Sequence, residues 1–563
     1  MCGIVGVFGK EASEEQLKVM LKTQKHRGPN HIGIYVDKHL AIGHNRLSII
    51  DLDRSANQPF ISNDKCFILS FNGEIYNYLE LKDELKHDYN FKTESDTEVL
   101  LAAYIKWGTH CLDKFNGMFA FFIWDTLKKQ LFVARDRFGV KPLYYTIVKD
   151  TLFIASEIKT LVAGGIDDTP NEGVWANYFA YGSYGLPNQT FYKGIQQLEA
   201  GHFFIYNDGH LKKQCWYNFE AQINRKTNSY SINEAKEYYL DLLKNSIMLR
   251  FRADVPVGFN VSGGLDSSLL LALVNTLDEG KNVNAYTFYT NNKNYDELPW
   301  VKQLLTLTDN PLKKVLFSAN DVISSAEEMS YLQDEPFGGV PTLAYASIFK
   351  TAVSQGVKVL LDGQGMDEQW AGYDYYSNNS NSVVQGVKTS PMRPNVLDRD
   401  FLKMAAKSEY QKPFDDEVLN LQYRDLFYTK IPRALRFNDR ISMAYSTELR
   451  EPFLDYRLVE FAFKQPLGYK IKDGDQKYLP RLISKDFLPE SISFAPKRPL
   501  QTPQREWLGN ELKDWVISHV SILKKHHWFN EKVLDEELNS YFSGSKDSGF
   551  HIWQWVNTAM LLS

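Results

Sequence analysis

The 563-residue chain has only four cysteines, Cys2, Cys66, Cys111 and Cys215, widely scattered and without a C-x-x-C pair. That excludes a disulfide framework, offers no zinc pattern, and points to a reducing compartment. Long hydrophobic runs are missing as well: Gly117-Met118-Phe119-Ala120-Phe121-Phe122-Ile123-Trp124 is only as long as a buried strand. The first residues lack a basic region followed by an apolar core, so no secretory signal is expected and the cytoplasm is the expected location. There is no basic surplus, because the formal net charge is -5, which argues against a nucleic-acid partner. What is present, 44% hydrophobic and 24% charged residues, is the make-up of a globular chain. Its length exceeds what one core supports, so roughly two to four domains are expected. A small-molecule enzyme, without nucleic-acid or membrane partners, fits this balance.

Up to about residue 208 the sequence alternates short apolar, β-branched or aromatic runs with turn residues. Strands are expected over 4–8, 31–35, 41–45, 67–72, 118–125, 130–135, 142–147, 151–156 and 202–206, with helices over 13–22, 78–86 and 96–107. Two packed antiparallel sheets flanked by helices follow, an α+β domain over 2–208. Residues 209–230 turn polar and read as a linker. From 231 to 563, isolated apolar strands at 257–261, 285–289, 313–317 and 357–361 alternate with helices, which indicates an α/β parallel sheet, and beyond about 395 the pattern is mainly helical. Ser377-Asn378-Asn379-Ser380-Asn381-Ser382 reads as a surface loop.

One stretch of this second part carries chemistry: Val257 to Val261, then Ser262-Gly263-Gly264-Leu265-Asp266-Ser267-Ser268. A strand feeding a small-residue turn and a helix start leaves backbone N–H groups converging on one point, where the helix dipole also favours an anion. Gly263 and Gly264 let the backbone approach, and Ser262, Ser267 and Ser268 add hydroxyl donors. Asp266 would repel a phosphate unless Mg2+ lay between them. The run has neither the Lys of a Walker A loop nor G-x-G-x-x-G spacing. It resembles the pyrophosphate (PP) loop of ATP pyrophosphatases, which cleave ATP to AMP and pyrophosphate.

At the other end stands Met1-Cys2-Gly3-Ile4. Loss of the initiator Met would leave Cys2 with a thiol and an α-amine titrating near pH 8, nucleophile and base in one residue. Alone it would be an inert residue on a first strand. Three further pieces change that. Arg46, ahead of Leu47-Ser48-Ile49-Ile50, could clamp a carboxylate in two-pronged fashion. Asn72 and Gly73 offer the two donors an oxyanion needs, and Glu74, with Asp96, could bind an ammonium group. Together they describe a site for glutamine.

These pieces, with Lys25-His26-Arg27-Gly28-Pro29-Asn30 and Arg135-Asp136-Arg137-Phe138-Gly139, resemble the class II glutamine amidotransferase domain, an N-terminal-nucleophile (Ntn) hydrolase of αββα form. Followed by the pyrophosphate loop, the chain is similar over nearly its whole length to the glutamine-hydrolysing asparagine synthetases of the B type. The resemblance implies Cys2 as nucleophile, Asn72 and Gly73 as oxyanion hole, and Arg46, Leu47, Ser48, Ile49, Ile50, Glu74 and Asp96 as glutamine contacts. It implies ATP contacts at Val261, Ser262, Gly263, Gly264, Asp266, Ser267, Asp362 and Gly363 and near Thr290, with Mg2+ at Asp266 and Asp367. Lys477 becomes the cation that stabilises developing charge, with Glu448 and Arg450 in the network around it. Relatives often dimerise, so a homodimer is among the expected assemblies.

Three positions depart from the family's pattern. Asn30 replaces the usual Asp in what reads as a structural turn. Pro480 replaces an aliphatic residue just after Lys477. Bacterial relatives carry Ser-Gly-Glu-Gly where this chain has Asp362-Gly363-Gln364-Gly365, and an uncharged Gln364 cannot act as a general base. Either that charge is dispensable, and aspartate is the acceptor the resemblance implies, or the acceptor differs. A different carboxylate, such as a uronic acid of a surface polysaccharide, is the alternative, and a glutamine sensor with a decayed synthetase half is the rival from another class.

Overall fold

The computed structural model describes residues 2–10, 12–225, 229–277, 280, 282–377, 390–497, 501–544 and 548–563. Each strand expected in the first half forms, and together they make two antiparallel sheets. One follows the spatial order β10 (Gln196–Gln197), β8 (Tyr144–Val148), β9 (Thr151–Ala155), β1 (Gly3–Phe8), β3 (Leu40–Arg46), β2 (His31–Asp37). The other runs β12 (His210–Cys215), β11 (His202–Asn207), β7 (Gln130–Arg135), β6 (Gly117–Asp125), β5 (Phe67–Ile75), β4 (Phe60–Ile61).

Alternation along each strand gives every sheet two apolar faces, and each face finds a partner. Ile4, Ile42 and Ile154 of the first sheet meet Phe122, Val133 and Phe204 of the second. Helices Glu14–Thr23 and Ile158–Ala163 cover the first sheet's outer face with Leu17, Met20 and Leu161. Helices Tyr78–Leu85 and Asp96–Trp107 cover the second with Leu81, Leu85, Val99 and Leu100. The result is the αββα layering.

The expected linker needs correction. Its first residues form β12, which pairs residue by residue with β11 from His202↔Cys215 to Asn207↔His210, so the sandwich continues past 208. A short helix, Phe219–Ile223, follows, and residues 226–228 lie outside the described residues. The second half opens on a capping box, Ser231 with Glu234, at the start of helix Ile232–Phe251.

Its sheet is parallel, in the order β15 (Leu312–Leu316), β14 (Asn284–Tyr289), β13 (Val257–Asn260), β16 (Val359–Leu361), β17 (Glu448–Arg450). Leu269, Leu270 and Leu273 of helix Leu265–Val274 pack with Phe259 on one face. Leu343 and Phe349 pack with Tyr286 and Phe288 on the other. Because β13 and β16 are parallel neighbours, the turns that follow them emerge side by side at the sheet's carboxyl edge. The surface loop expected over 377–382 lies outside the described residues beyond Ser377. No described helix is long and apolar enough to cross a membrane.

Candidate active sites

The first site forms where β1 begins beside β5. The Cys2 nitrogen donates to Asn72 Oδ1 at 2.9 Å, which fixes the amide so that Nδ2 is left over. That Nδ2 is buried without a hydrogen-bond partner, as is one carboxylate oxygen of Glu74. Unpaired buried polar atoms are costly, and here a donor and an acceptor are both held in readiness around one thiol. Gly73 lies between them at φ +154°, and a Cβ there would come within 2.1 Å of the Met118 carbonyl oxygen. Cys2, Arg46, Leu47, Ile49, Ile50, Gly73, Glu74 and Asp96 all line one small pocket.

The electrostatics of this pocket are lopsided. Glu74, Asp96 and Glu448 share the Arg450 guanidinium, whose Nε donates to Glu448 Oε1 at 2.5 Å and whose Nη2 lies 3.7 Å from Glu74, and Lys141 adds a further positive charge felt by Glu448. Burial, then the neighbouring Glu448 and Asp96, raise the Glu74 carboxyl well above the ordinary range. Burial likewise pushes Asp96 up to about 7, although the Ile75 N–H it accepts at 2.9 Å pulls the other way. An added cation would relieve both groups.

Two expectations change here. Arg46 lines the pocket, but its fork is engaged by the loop that follows, Nη1 on Asp53 O at 2.7 Å and Asn57 Oδ1 at 2.8 Å, and Nη2 on Asp51 O. Ser48 is turned to structure, its N–H donating to Asn30 Oδ1 at 3.0 Å. That bond also explains Asn30, which ties a turn to the pocket wall.

The second site is a cavity of about 360 Å³ at the carboxyl edge of the parallel sheet, lined by Val261 to Ser267 and by Asp362, Gly363, Gln364 and Asp367. Gly264 caps the helix that begins at Leu265, so N–H groups face the cavity, and Ser267 Oγ lies 3.2 Å from both Ser262 N and Ser262 Oγ. Gly263 has φ +71°, a left-handed conformation that favours glycine. Lys477 reaches in from across the cavity, with Nζ 2.7 Å from Asp266 and 2.6 Å from Asp367. Burial favours a neutral amine there, but the two carboxylates outweigh it and hold Lys477 charged. Lys477 itself adopts φ 55° at the start of helix Tyr478–Ser484, and Pro480 sits within that helix's first turn, where its missing N–H costs nothing.

The sequence reading missed Lys497, whose Nζ lies 2.7 Å from Asp367 and donates to Gly372 O at 3.0 Å. It sits in a loop with no motif around it. Tyr345 was missed too; it donates to Asp362 Oδ2 at 2.7 Å and accepts from Asn260 Nδ2 at 2.6 Å. Thr290 is corrected: its N–H and hydroxyl both donate to Asp296, at 2.6 and 2.9 Å, while Thr287 and Phe288 form that part of the cavity wall. Glu448 and Arg450 are corrected as well. They form β17, fully buried, and the Arg450 guanidinium approaches Glu74 of the first site rather than Lys477.

Among the described residues, three acids (Asp266, Asp362, Asp367) and three bases (Lys477, Arg481, Lys497) line the cavity. Asp266 and Asp367 converge on one cation, so two carboxylates could be supplied to a divalent ion that takes its remaining ligands from phosphate and water, the usual manner of Mg2+.

The two sites are joined by buried polar contacts. Arg27 Nε donates to the Cys2 carbonyl at 3.0 Å, while Nη1 and Nη2 grip Asp439 at 2.8 and 3.1 Å. Asp439 lies on helix Ile431–Ala444, next to Asn438, which lines the second cavity. Leu47, Ile49 and Met118 share an apolar cluster with Leu435, Met443 and Leu454 across the same seam.

An Ntn-type amidotransferase sandwich fused to a parallel-sheet domain with a pyrophosphate loop defines a class, that of ATP-dependent ligases taking nitrogen from glutamine. Comparison with known proteins agrees. Residues 1–217 match the family described as "Glutamine amidotransferase domain" and residues 239–563 the family described as "Asparagine synthase". The chain belongs to the asparagine synthase family. It is 29% identical to "Asparagine synthetase [glutamine-hydrolyzing] 1" of Bacillus subtilis (strain 168), over 98% of this chain and 95% of that one. With "Putative asparagine synthetase [glutamine-hydrolyzing] 2" of Methanocaldococcus jannaschii it shares 34% identity, covering 67% of this chain and 76% of the relative. It is also 26% identical to "Amidase chyE" of Penicillium rubens, over 91% and 90% of the two chains.

Proposed function

We propose that this chain is a glutamine-dependent asparagine synthetase, converting ATP, L-aspartate, L-glutamine and water to AMP, diphosphate, L-asparagine and L-glutamate. The observation that carries the reading is Lys477 bridging Asp266 and Asp367 beside the pyrophosphate loop, in a chain whose Cys2 pocket holds an Asn72 donor and a Glu74 acceptor that are both without a hydrogen bond.

In the first site the Cys2 sulfur attacks the side-chain amide carbon of glutamine. Asn72 Nδ2 and the Gly73 N–H stabilise the oxyanion, and collapse breaks the C–N bond to release ammonia and leave a thioester. Water then cleaves the thioester to glutamate and restores the thiol. Glu74 and Asp96 bind the substrate's ammonium, which relieves their surplus of negative charge. In the second site a carboxylate oxygen of the acceptor attacks the α-phosphorus of ATP and the bond to diphosphate breaks. Ammonia attacks the resulting acyl-adenylate at the carbonyl carbon, AMP leaves, and an amide remains. Lys477 and Lys497 offset charge developing on the phosphate oxygens. Mg2+, held by Asp266 and Asp367, would supply further neutralisation of the triphosphate.

Ammonia is mostly protonated near neutral pH, so delivery inside the protein is favoured over release to solvent. The Arg27–Asp439 seam, which touches Cys2 at one end and adjoins Asn438 at the other, is where such a route would run. The expected assembly includes a homodimer.

A second reading keeps both half-reactions but amidates another carboxylate. Gln364 in the cavity wall, and a relative named as an amidase, favour keeping it in view. AMP and diphosphate release, measured with ammonium and ATP across a panel of acids, decides. Aspartate is expected to give the highest kcat/KM; a silent aspartate and an active uronic acid would overturn the assignment of acceptor.

A further inference from the structure

A cavity of about 340 Å³ shares no lining residue with either site. Its walls are helix Glu417–Arg424, the end of helix Tyr456–Lys464 and the short helix Leu467–Lys470. Lys470 lines it while only 1% exposed. Its Nζ donates to Gln422 Oε1 at 3.0 Å and to the Phe463 carbonyl at 3.4 Å, both neutral acceptors, and among the described residues no carboxylate pairs with it. Asp416, also in the lining, is exposed and caps its own helix by accepting from Leu419 N at 2.9 Å. Burial pushes the Lys470 ammonium down to about 7, against the pull of Asp416.

A buried ammonium with two neutral acceptors and, for its third proton, only the Phe463 ring 5.2 Å away gains from an anion that enters beside it. The mutual arrangement of these helices leaves a space beside it far larger than a water needs. Gln422 then connects this lysine to the ATP cavity. Its Nε2 donates to the carbonyls of Glu368 and Gln369, at 2.6 and 2.7 Å, in the short helix Met366–Gln369 that carries Asp367. In the other direction the chain runs from Lys470 through a hairpin, Ile471–Lys472 with Asp475–Gln476, directly into Lys477.

We propose that this cavity is an effector site for a small carboxylate bound by Lys470, and that its occupancy is transmitted through Gln422 to the turn that carries Asp367. A carboxylate drawing on the Lys470 ammonium weakens the Lys470–Gln422 bond and alters how Gln422 holds the two carbonyls. The consequence for turnover rests on the ATP reading given above; the binding and the transmission do not.

The test uses the full chain without nucleotide, titrated separately with acetate, succinate, L-alanine and inorganic phosphate. At least one carboxylate is expected to raise Tm saturably, and Lys470→Met, which keeps the length of the stem and removes the charge, is expected to weaken that binding at least tenfold. L-alanine binding more tightly than acetate would identify an amino acid, its ammonium facing Asp416, as the ligand type. Hydrogen exchange over residues 363–373 is expected to change on binding in the wild type and not in Gln422→Met. No saturable shift with any carboxylate, an equal shift in Lys470→Met, binding of phosphate alone, or unchanged exchange in the wild type would each overturn the proposal.

Discussion

The two pockets solve opposite electrostatic problems. The Cys2 pocket is small, and its acids Glu74 and Asp96, with Glu448 behind them, outnumber the two guanidiniums near them, Arg450 and an Arg46 whose fork is spent on its own loop. The synthetase cavity is large and balanced in formal charge, three acids and three bases lining it among the described residues, with Lys477 and Lys497 paired to Asp266 and Asp367. A negative pocket gains when a cationic group enters, which is what the proposed seat for the glutamine ammonium requires. A balanced one gains nothing from a polyanion until the anion brings cations of its own or separates the Lys477 ion pairs. On the proposed function the first site lacks only its substrate, whereas in the second Lys477 fills the place between Asp266 and Asp367 that a divalent cation would take and would have to release them when ATP binds.

The sharpest way to break the comparison is to delete one pocket's chemistry. Cys2→Ala is expected to abolish glutamine-driven AMP formation and leave the ammonium-driven rate within about twofold, since removing the nucleophile leaves no covalent route. Loss of both rates would show that the pockets are not separable. Lys477→Met does the reverse. Diphosphate release should fall about a hundred- to a thousandfold with either nitrogen source, and glutamine hydrolysis by Cys2 should persist in a glutamate assay. An unchanged rate would remove Lys477 from the chemistry.

The seam comes next in size. Arg27, His26 and Lys159 surround Glu157, and Arg27 also binds Asp439; Arg27, Glu157 and Asp439 are almost wholly buried. Arg27→Met takes the two-pronged guanidinium from Asp439 and leaves it Arg440 at 3.4 Å, which should cost about 3 kcal/mol of stability. It also frees the Cys2 carbonyl. The expected signature is glutamate formed in excess of AMP, and stoichiometric coupling in a folded Arg27→Met protein would show that the contact is only a brace.

How much of this was legible in the sequence follows the same division. The sandwich, the parallel sheet and both loops were readable because alternation, glycine spacing and strand-to-helix turns are local signals. β17 was not: Glu448-Leu449-Arg450 looks like a solvated charged face, and its burial is made tolerable by the Glu448–Arg450 pair together with distant partners, the Arg250 and Arg252 carbonyls at 2.7 and 2.8 Å and Glu74 at 3.7 Å, that no local spacing shows. Arg27–Asp439 and Lys497–Asp367 escaped for the same reason, since long-range ion pairs have no spacing to read. β12 was misread because its residues, HLKKQC, are polar; it is an edge strand, exposed over most of its length and held by backbone pairing to β11.

The smallest effect tests the charge imbalance itself. If Asp96 helps bind the glutamine ammonium, it does so as a carboxylate, and burial places its pKa at about 7, above the usual range. A raised carboxylate pKa means the useful form is lost as pH falls through about 7. KM for glutamine should therefore climb by up to about tenfold per pH unit below that point, while KM for ammonium in the second site does not follow it. The substrate's own charge works against this trend, because an ammonium seated beside Asp96 stabilises the carboxylate and releases its proton. The bound complex should accordingly titrate lower than the free enzyme, so the break appears in kcat/KM for glutamine and shifts to lower pH in kcat. Asp96→Asn should flatten the kcat/KM break and leave a raised, pH-independent KM. A break that survives the substitution would assign the titration to another group, with Glu74, also raised by burial, the next to test.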